Sequence, residues 1–200
     1  MDFNKNNNTD EFFWEKEFRR DDTRINSYMR EIPAVIDLPE EDKLLMKRLL
    51  KQPEYAKNAK AESPYRELLD FDDILFPSDW RGRDGAALYA DVERLMSEWC
   101  TLYAAELKDK NNVKGVQVLC LYGKIMGESI DVIDIGEEAM PGLKIALCKR
   151  IASDVNAIVT LIRSIDDFSG RLKAHLRQLN ELRDSAVKLL FRLKHETDSN

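Results

Sequence analysis

Residues 148–193 read CKRIASDVNAIVTLIRSIDDFSGRLKAHLRQLNELRDSAVKLLFRL, and the spacing of their apolar side chains decides the fold. Cys148, Ile151, Val155, Ile158, Ile162 and Ile165 are separated alternately by three and four residues. Phe168, Leu172, His175, Leu179, Leu182, Ala186, Leu189 and Leu193 continue the alternation. Such spacing places every member on one stripe of an α-helix and is the signature of helices packed side by side. The step from Ile165 to Phe168 is three where four is due. Ser164 with Asp167 resembles a capping box with aspartate in place of Glu or Gln, and Gly170 adds a local weakness. Residues 164–169 are therefore read as a tight turn that folds the two seams against each other.

The same reading extends toward the N-terminus. Residues 143–164 form the helix before that turn, set off by Pro141-Gly142. Residues 113–135 are apolar almost all round, which predicts the most buried helix, with Cys120, Gly123 and Gly127 on a narrow side that would let a neighbour approach closely. Gly136 is its expected stop. Residues 86–109 place Leu88, Val92, Leu95, Met96, Trp99, Tyr103 and Leu107 on one face, with Asp84 as the expected N-cap. The expected fold is all-α: a four-helix bundle of long antiparallel helices over residues 84–196. Two shorter N-terminal helices and an irregular acidic segment occupy residues 11–83, after a disordered tail at residues 1–10. In the first of those helices Trp14, Phe18, Ile25, Met29 and Ile32 recur at helical intervals, ending at Pro33. The second begins near Pro39, and acids follow where the helix dipole favours them. Its apolar stripe is Leu44, Leu45, Leu49 and Leu50.

Composition narrows the function classes. The chain has 200 residues, of which 44% are hydrophobic and 34% charged, enough for one sizeable core. No apolar run approaches the ~20 residues needed to cross a bilayer, so no membrane association is expected. The polar, Asn-rich start does not resemble a signal peptide. Cys100, Cys120 and Cys148 are an odd number in apolar helical patterns. They read as small buried hydrophobes in a reducing cytoplasm, with no disulfide. The two histidines lie far from any cysteine, so no zinc signature exists, and no metal or cofactor is expected. Charge is uneven. Residues 141–200 hold 7 acids and 11 bases, whereas residues 86–140 hold 10 and 5. The bases of the last helix are spread out, which points to internal charge complementarity more than to a polyanion-binding tail.

Three patterns carry candidate chemistry. Arg171 and His175 resemble the Arg/His pair of HEPN-type ribonucleases, although three residues separate them here and four to six in that family. His175 also occupies a seam position, where a polar residue fixes register or partner choice at some cost to stability. The ladder Glu128, Asp131, Asp134, Glu137 and Glu138 puts carboxylates on one helix side, as divalent-metal sites do. It resembles the acidic helices of all-α nucleotide pyrophosphatases but lacks their paired Glu-x-x-Glu. The bland reading of the ladder is a narrow solvated stripe. Residues 22–32 and 38–49 resemble the opening of bacterial primary sigma factors, but Pro53 and irregular sequence replace the promoter-melting segment.

The expected function is a non-catalytic interaction or scaffold protein acting through helix–helix contacts. A protein partner or self-association is expected, with Trp14, Phe18, Ile25, Met29 and His175 as the interface residues. The alternatives are a metal-dependent or HEPN-like hydrolase of nucleotides or RNA, and a regulator contacting nucleic acid or transcription machinery through the basic C-terminal helix. The latter would make nucleic acid the partner.

Overall fold

A computed structural model describes residues 11–53, 55, 80–107, 111–135, 140–165 and 170–198. The expected tail at 1–10, most of the irregular segment, Gly136 and the turn residues 166–169 lie outside the described residues. Among the described residues the regular structure is entirely helical, and the long helices pack against each other as a bundle. The helices are α1 Glu11–Glu31, α2 Glu41–Leu49, α3 Ala86–Glu106, α4 Asn112–Asp134, α5 Pro141–Arg163 and α6 Gly170–Asp198. At 21 residues α1 matches α3 in length, so only α2 is short. The chain divides into two compact units, residues 13–75 and the remainder.

The larger unit is an up-and-down bundle. α3 packs on α4, α4 on α5, α5 on α6, and α6 returns to α3. The α5–α6 contact is the most extensive of these and the α3–α6 contact the least. The two seams of the quoted stretch supply the α5–α6 pairing. Cys148, Ile151, Val155, Ile158, Ile162 and Ile165 are all buried, as are Leu172, His175, Leu179, Leu182, Ala186 and Leu193. α5 ends at Arg163 and α6 starts at Gly170, so two packed helices and not one long helix carry the seams.

Several local expectations are corrected. α4 is not the most buried helix. α5 is, because it lies between the two most extensive seams, and every residue from Gly142 to Cys148 is buried. Gly123 and Gly127 line no close approach; both are exposed, and a Cβ at either would meet open space. The close approach falls instead at Gly115, where a Cβ would collide with the Tyr103 ring and the backbone carbonyl accepts a 3.1 Å hydrogen bond from Trp99 Nε1. Asp84 is not the cap of α3. Gly85 takes the N-cap position at φ 84°, a left-handed conformation open to glycine, and a Cβ there would stand 2.9 Å from Val132. Pro141 does not separate α4 from α5 but opens α5, in the first-turn place that suits it. α2 starts at Glu41, two residues beyond Pro39.

In the smaller unit the chain leaves α1 through a 3-10 turn at Ile32–Ala34 and enters α2. Val35, Leu45 and Leu49 form one core cluster there, and Tyr28 and Tyr55 pack against it. Tyr55 donates to the Arg24 carbonyl at 2.8 Å, and Arg48 and Gln52 both reach the Glu31 carboxylate, at 2.7 and 3.1 Å. Leu45 and Leu49, four apart, therefore face inward, while Leu44 and Leu50 turn outward.

Candidate functional site

Three groups of polar side chains penetrate the bundle. The first lies between α4 and α5. Lys124 and Glu128 are four apart on α4, and Arg150 and Asp154 are four apart on α5, so each helix presents a base and then an acid on one face. The antiparallel pairing sets each base against the other helix's acid. Lys124 Nζ is 2.8 Å from Asp154, and Arg150 Nε donates to Glu128 at 2.9 Å. Lys124 also stands 3.8 Å from Glu128. Burial pushes the Glu128 carboxyl up to about 8; Asp154 adds to the rise, and Arg150 and Lys124 oppose it. Glu128 Oε2 is buried without a hydrogen-bond partner. Burial pulls the Lys124 ammonium down, but Glu128 and Asp154 outweigh it and hold Lys124 above its usual value.

The second group surrounds His175. The Tyr122 hydroxyl and His175 Nε2 are 2.7 Å apart, both fully buried. The Trp99 ring lies 5.6 Å from the imidazole, tilted by 31°. Nδ1 points toward Glu98 at 3.7 Å, too far for a hydrogen bond, and has no other partner. Glu98 accepts from Arg94 at 3.1 Å, and Arg94 also bonds Asp91. With its amide oriented to match these charges, Gln178 donates to Glu98 at 2.9 Å and accepts from Arg94 at 3.2 Å. Burial lowers the His175 imidazole below its usual value against the pull of Glu98. Burial also raises the Tyr122 phenol well above its own, helped by Glu98.

The third group is at the start of α3. Asp84 pairs with Lys144 of α5 at 3.4 Å and with Arg192 of α6. Cys148, one turn along α5, has its thiol pushed up to about 12 by burial first and then by Asp84, so it is inert.

These positions bear on each sequence-derived candidate. Arg171 is exposed and His175 is buried against Tyr122, so the structure does not bring the pair together at a surface. The acidic ladder is not a uniform solvated stripe. Glu128 is buried and bonded to Arg150, Asp131 is half-buried and Asp134 is exposed, while Glu137 and Glu138 lie outside the described residues. Among the described residues no cluster of three His, Cys, Asp or Glu side chains could hold a metal ion. Trp14 and Phe18 are buried, and Ile25 and Met29 half-buried. Bases in the C-terminal third do meet acids within the bundle: besides the pairs above, Lys149 and Lys194 approach Glu11 at 3.3 and 3.6 Å.

Sequence reasoning missed the α4–α5 quartet, although its signal was there: two base-x-x-x-acid pairs on consecutive helices. It also missed a surface. Leu38, Leu44, Met46 and Leu50 are 48, 37, 55 and 59% exposed, four of the six large exposed hydrophobics among the described residues, all within thirteen positions. Lys43, Met46, Lys47 and Leu50 fall at i, i+3, i+4 and i+7, one stripe of α2 that continues into Lys51.

Comparison with known proteins finds no matching family, no similar curated protein and no similar solved structure. The geometry alone carries the functional argument. Among the described residues no helix is long and apolar enough to cross a membrane.

Proposed function

We propose that the protein is a non-catalytic interaction protein of the cytoplasm that binds a protein partner by helix–helix contact, and that the outer face of α2 is its contact surface. The observation that carries this reading is the exposure of Met46 and Leu50, one turn apart on one stripe at the end of α2, with Leu38 and Leu44 also exposed close by in the chain. Clustered apolar exposure of this kind marks interaction sites. Lys43, Lys47 and Lys51 flank Met46 and Leu50, so the fitting partner is an amphipathic helix with acidic residues beside its apolar stripe. The buried polar groups support a structural role over a catalytic one, since they bond one another across helix seams. His175 and Glu128, the residues that a ribonuclease or metal-hydrolase reading would use, are engaged by Tyr122 and Arg150. Three free thiols suit a reducing compartment, although only Cys148 is the buried small hydrophobe that all three were expected to be; Cys120 is half-buried and Cys100 exposed.

The test is lysine cross-linking in the native host followed by purification of the tagged chain and mass spectrometry. Cross-links to one partner are expected at Lys43, Lys47 and Lys51. They should vanish in Met46→Glu/Leu50→Glu while circular dichroism and melting stay unchanged. Cross-links confined to the bundle, or surviving the double substitution, would remove α2 as the contact. Co-purifying nucleic acid released by high salt would favour the basic C-terminal helix instead.

A further inference from the structure

The α3–α6 seam closes the bundle with the least helix–helix contact of the four, and polar groups stand where apolar packing is thin. At one end Asp84 reaches Arg192; about 20 Å along α3, at 1.5 Å per residue, Glu98 meets Gln178 and faces His175. We propose that His175 is an acid-sensitive latch on this seam, whose protonation loosens α6 from α3 before the rest of the bundle yields.

The geometry makes the second proton costly. The neutral imidazole bonds Tyr122 through Nε2 and turns Nδ1 toward the Glu98 carboxylate. An Nδ1–H tautomer suits both: Tyr122 donates to the Nε2 lone pair, and the ring proton faces a negative charge. Protonation puts a hydrogen on Nε2. The Tyr122 hydroxyl must then accept, and its own hydrogen turns into an interior where Tyr122 and its neighbour Trp99 are fully buried. A cation is created away from water at the same time. The titratable and charged groups that face it are Arg94 and Glu98 from α3 and Tyr122 from α4; α6 adds the neutral Gln178, and none comes from α5 among the described residues. Glu98 compensates weakly, being 40% exposed on its side chain and already bonded to Arg94 and Gln178. Burial accordingly keeps the folded imidazole below its unfolded value of about 6.5. The folded state therefore binds fewer protons, and the seam weakens as pH falls below that value. Ordinary carboxylates titrate near 4. Glu128, held near 8 in the fold, strengthens the α4–α5 seam as pH falls over this range, opposite in sign to His175, so neither can imitate a loss of protection at α3 and α6.

Amide hydrogen exchange read by mass spectrometry tests the latch. Exchange is corrected for intrinsic rates and compared at pH 7.0 and 5.5 in the full chain. Peptides of α3 and α6 should lose protection severalfold at pH 5.5, by at most about tenfold per pH unit for one linked proton, while α4 and α5 hold. His175→Gln, which keeps a polar partner for Tyr122 but does not titrate, should remove the pH dependence. His195→Gln, at the other, exposed histidine, should leave it. Should His175→Gln fail to fold, the imidazole NMR titration of the His195→Gln protein decides: its midpoint must lie below the usual histidine value, and the loss of α3 and α6 protection must develop between that value and the midpoint. Equal loss in all four helices, no loss, loss persisting in His175→Gln, or a midpoint at or above the usual value would each overturn the proposal.

Discussion

Glu128 shows how far a residue's role departs from its sequence pattern. As one rung of an acidic ladder it reads as solvent-facing. Its neighbours on α5, Arg150 at 2.9 Å and Asp154 beyond it, turn it into a buried and contested carboxyl. The partner in question is 22 residues away, so no local spacing on α4 alone reveals it. The consequence is a pH dependence with a definite sign. A carboxyl held at about 8 when folded, against 4.5 ordinarily, keeps its proton in the fold where the unfolded chain has lost it. Folding is favoured by this group at low pH, and the contribution is lost as pH rises from the unfolded value through about 8. Urea denaturation should give a wild-type stability that falls by roughly 1–3 kcal/mol between pH 6 and pH 9 on this account. Glu128→Gln should flatten the fall. An equal fall in the variant would assign the dependence elsewhere. Glycine gives the same lesson with opposite signs at different positions. Gly115→Ala must displace the Tyr103 ring and should cost about 1–3 kcal/mol. Gly123→Ala and Gly127→Ala add a methyl in open space on a helix and should each stabilise by about 0.5–1 kcal/mol. Three single substitutions melted side by side would separate these outcomes.

Elements are where the sequence is most legible, because helix periodicity is a local property and burial of a regular stripe is its direct consequence. The seam from Cys148 to Ile165 is buried at every position, and its helix ends where the alternation breaks. Helix ends were less legible. Asp84 has the side chain of an N-cap, yet Gly85 takes that position because the turn must run against Val132 of α4. That packing constraint belongs to another helix and outweighs a cap preference of about 1 kcal/mol. α2 reveals another limit. Its leucines suggest one stripe, but Leu45 and Leu49 alone meet Val35, and the others turn outward. Which of two overlapping stripes is buried depends on what lies opposite. For the seam itself the expectation is sharp. Ile158 is fully buried mid-helix in α5, and Ile158→Asp places an unpaired carboxylate in the most extensive contact of the bundle. The loss should reach at least about 4 kcal/mol or unfold the unit outright. Thermal melting by circular dichroism reads it, and an unchanged melt would mean that the α5 stripe does not carry the core.

At the scale of the bundle, closure depends on charges that join elements far apart in sequence. Asp84 reaches Lys144 sixty residues on and Arg192 more than a hundred residues on. It thereby ties the start of α3 to both α5 and α6 at the end of the thinnest seam. A lysine inside the apolar run LKIALC is the one hint that the sequence offers, and periodicity cannot say which acid answers it. The two pairs are unequal. The Arg192 side chain is 56% exposed, so its pairing contributes about 0–1 kcal/mol. The Lys144 side chain is 2% exposed, so removing its counter-charge leaves an ammonium stranded in the interior. Asp84→Asn should therefore destabilise by about 3–5 kcal/mol, as breaking a buried pair does. Lys144→Met should be nearly neutral, within about 1 kcal/mol, because a packed apolar chain replaces a desolvated ion and Asp84 keeps Arg192 and some access to water. The double variant should then recover most of the loss, since the stranded ammonium is gone. Urea midpoints for the two single variants and the double close the cycle. A double variant as unstable as Asp84→Asn alone would show that Asp84 acts through Arg192 or through the turn into α3, and that the buried lysine is not what makes it necessary.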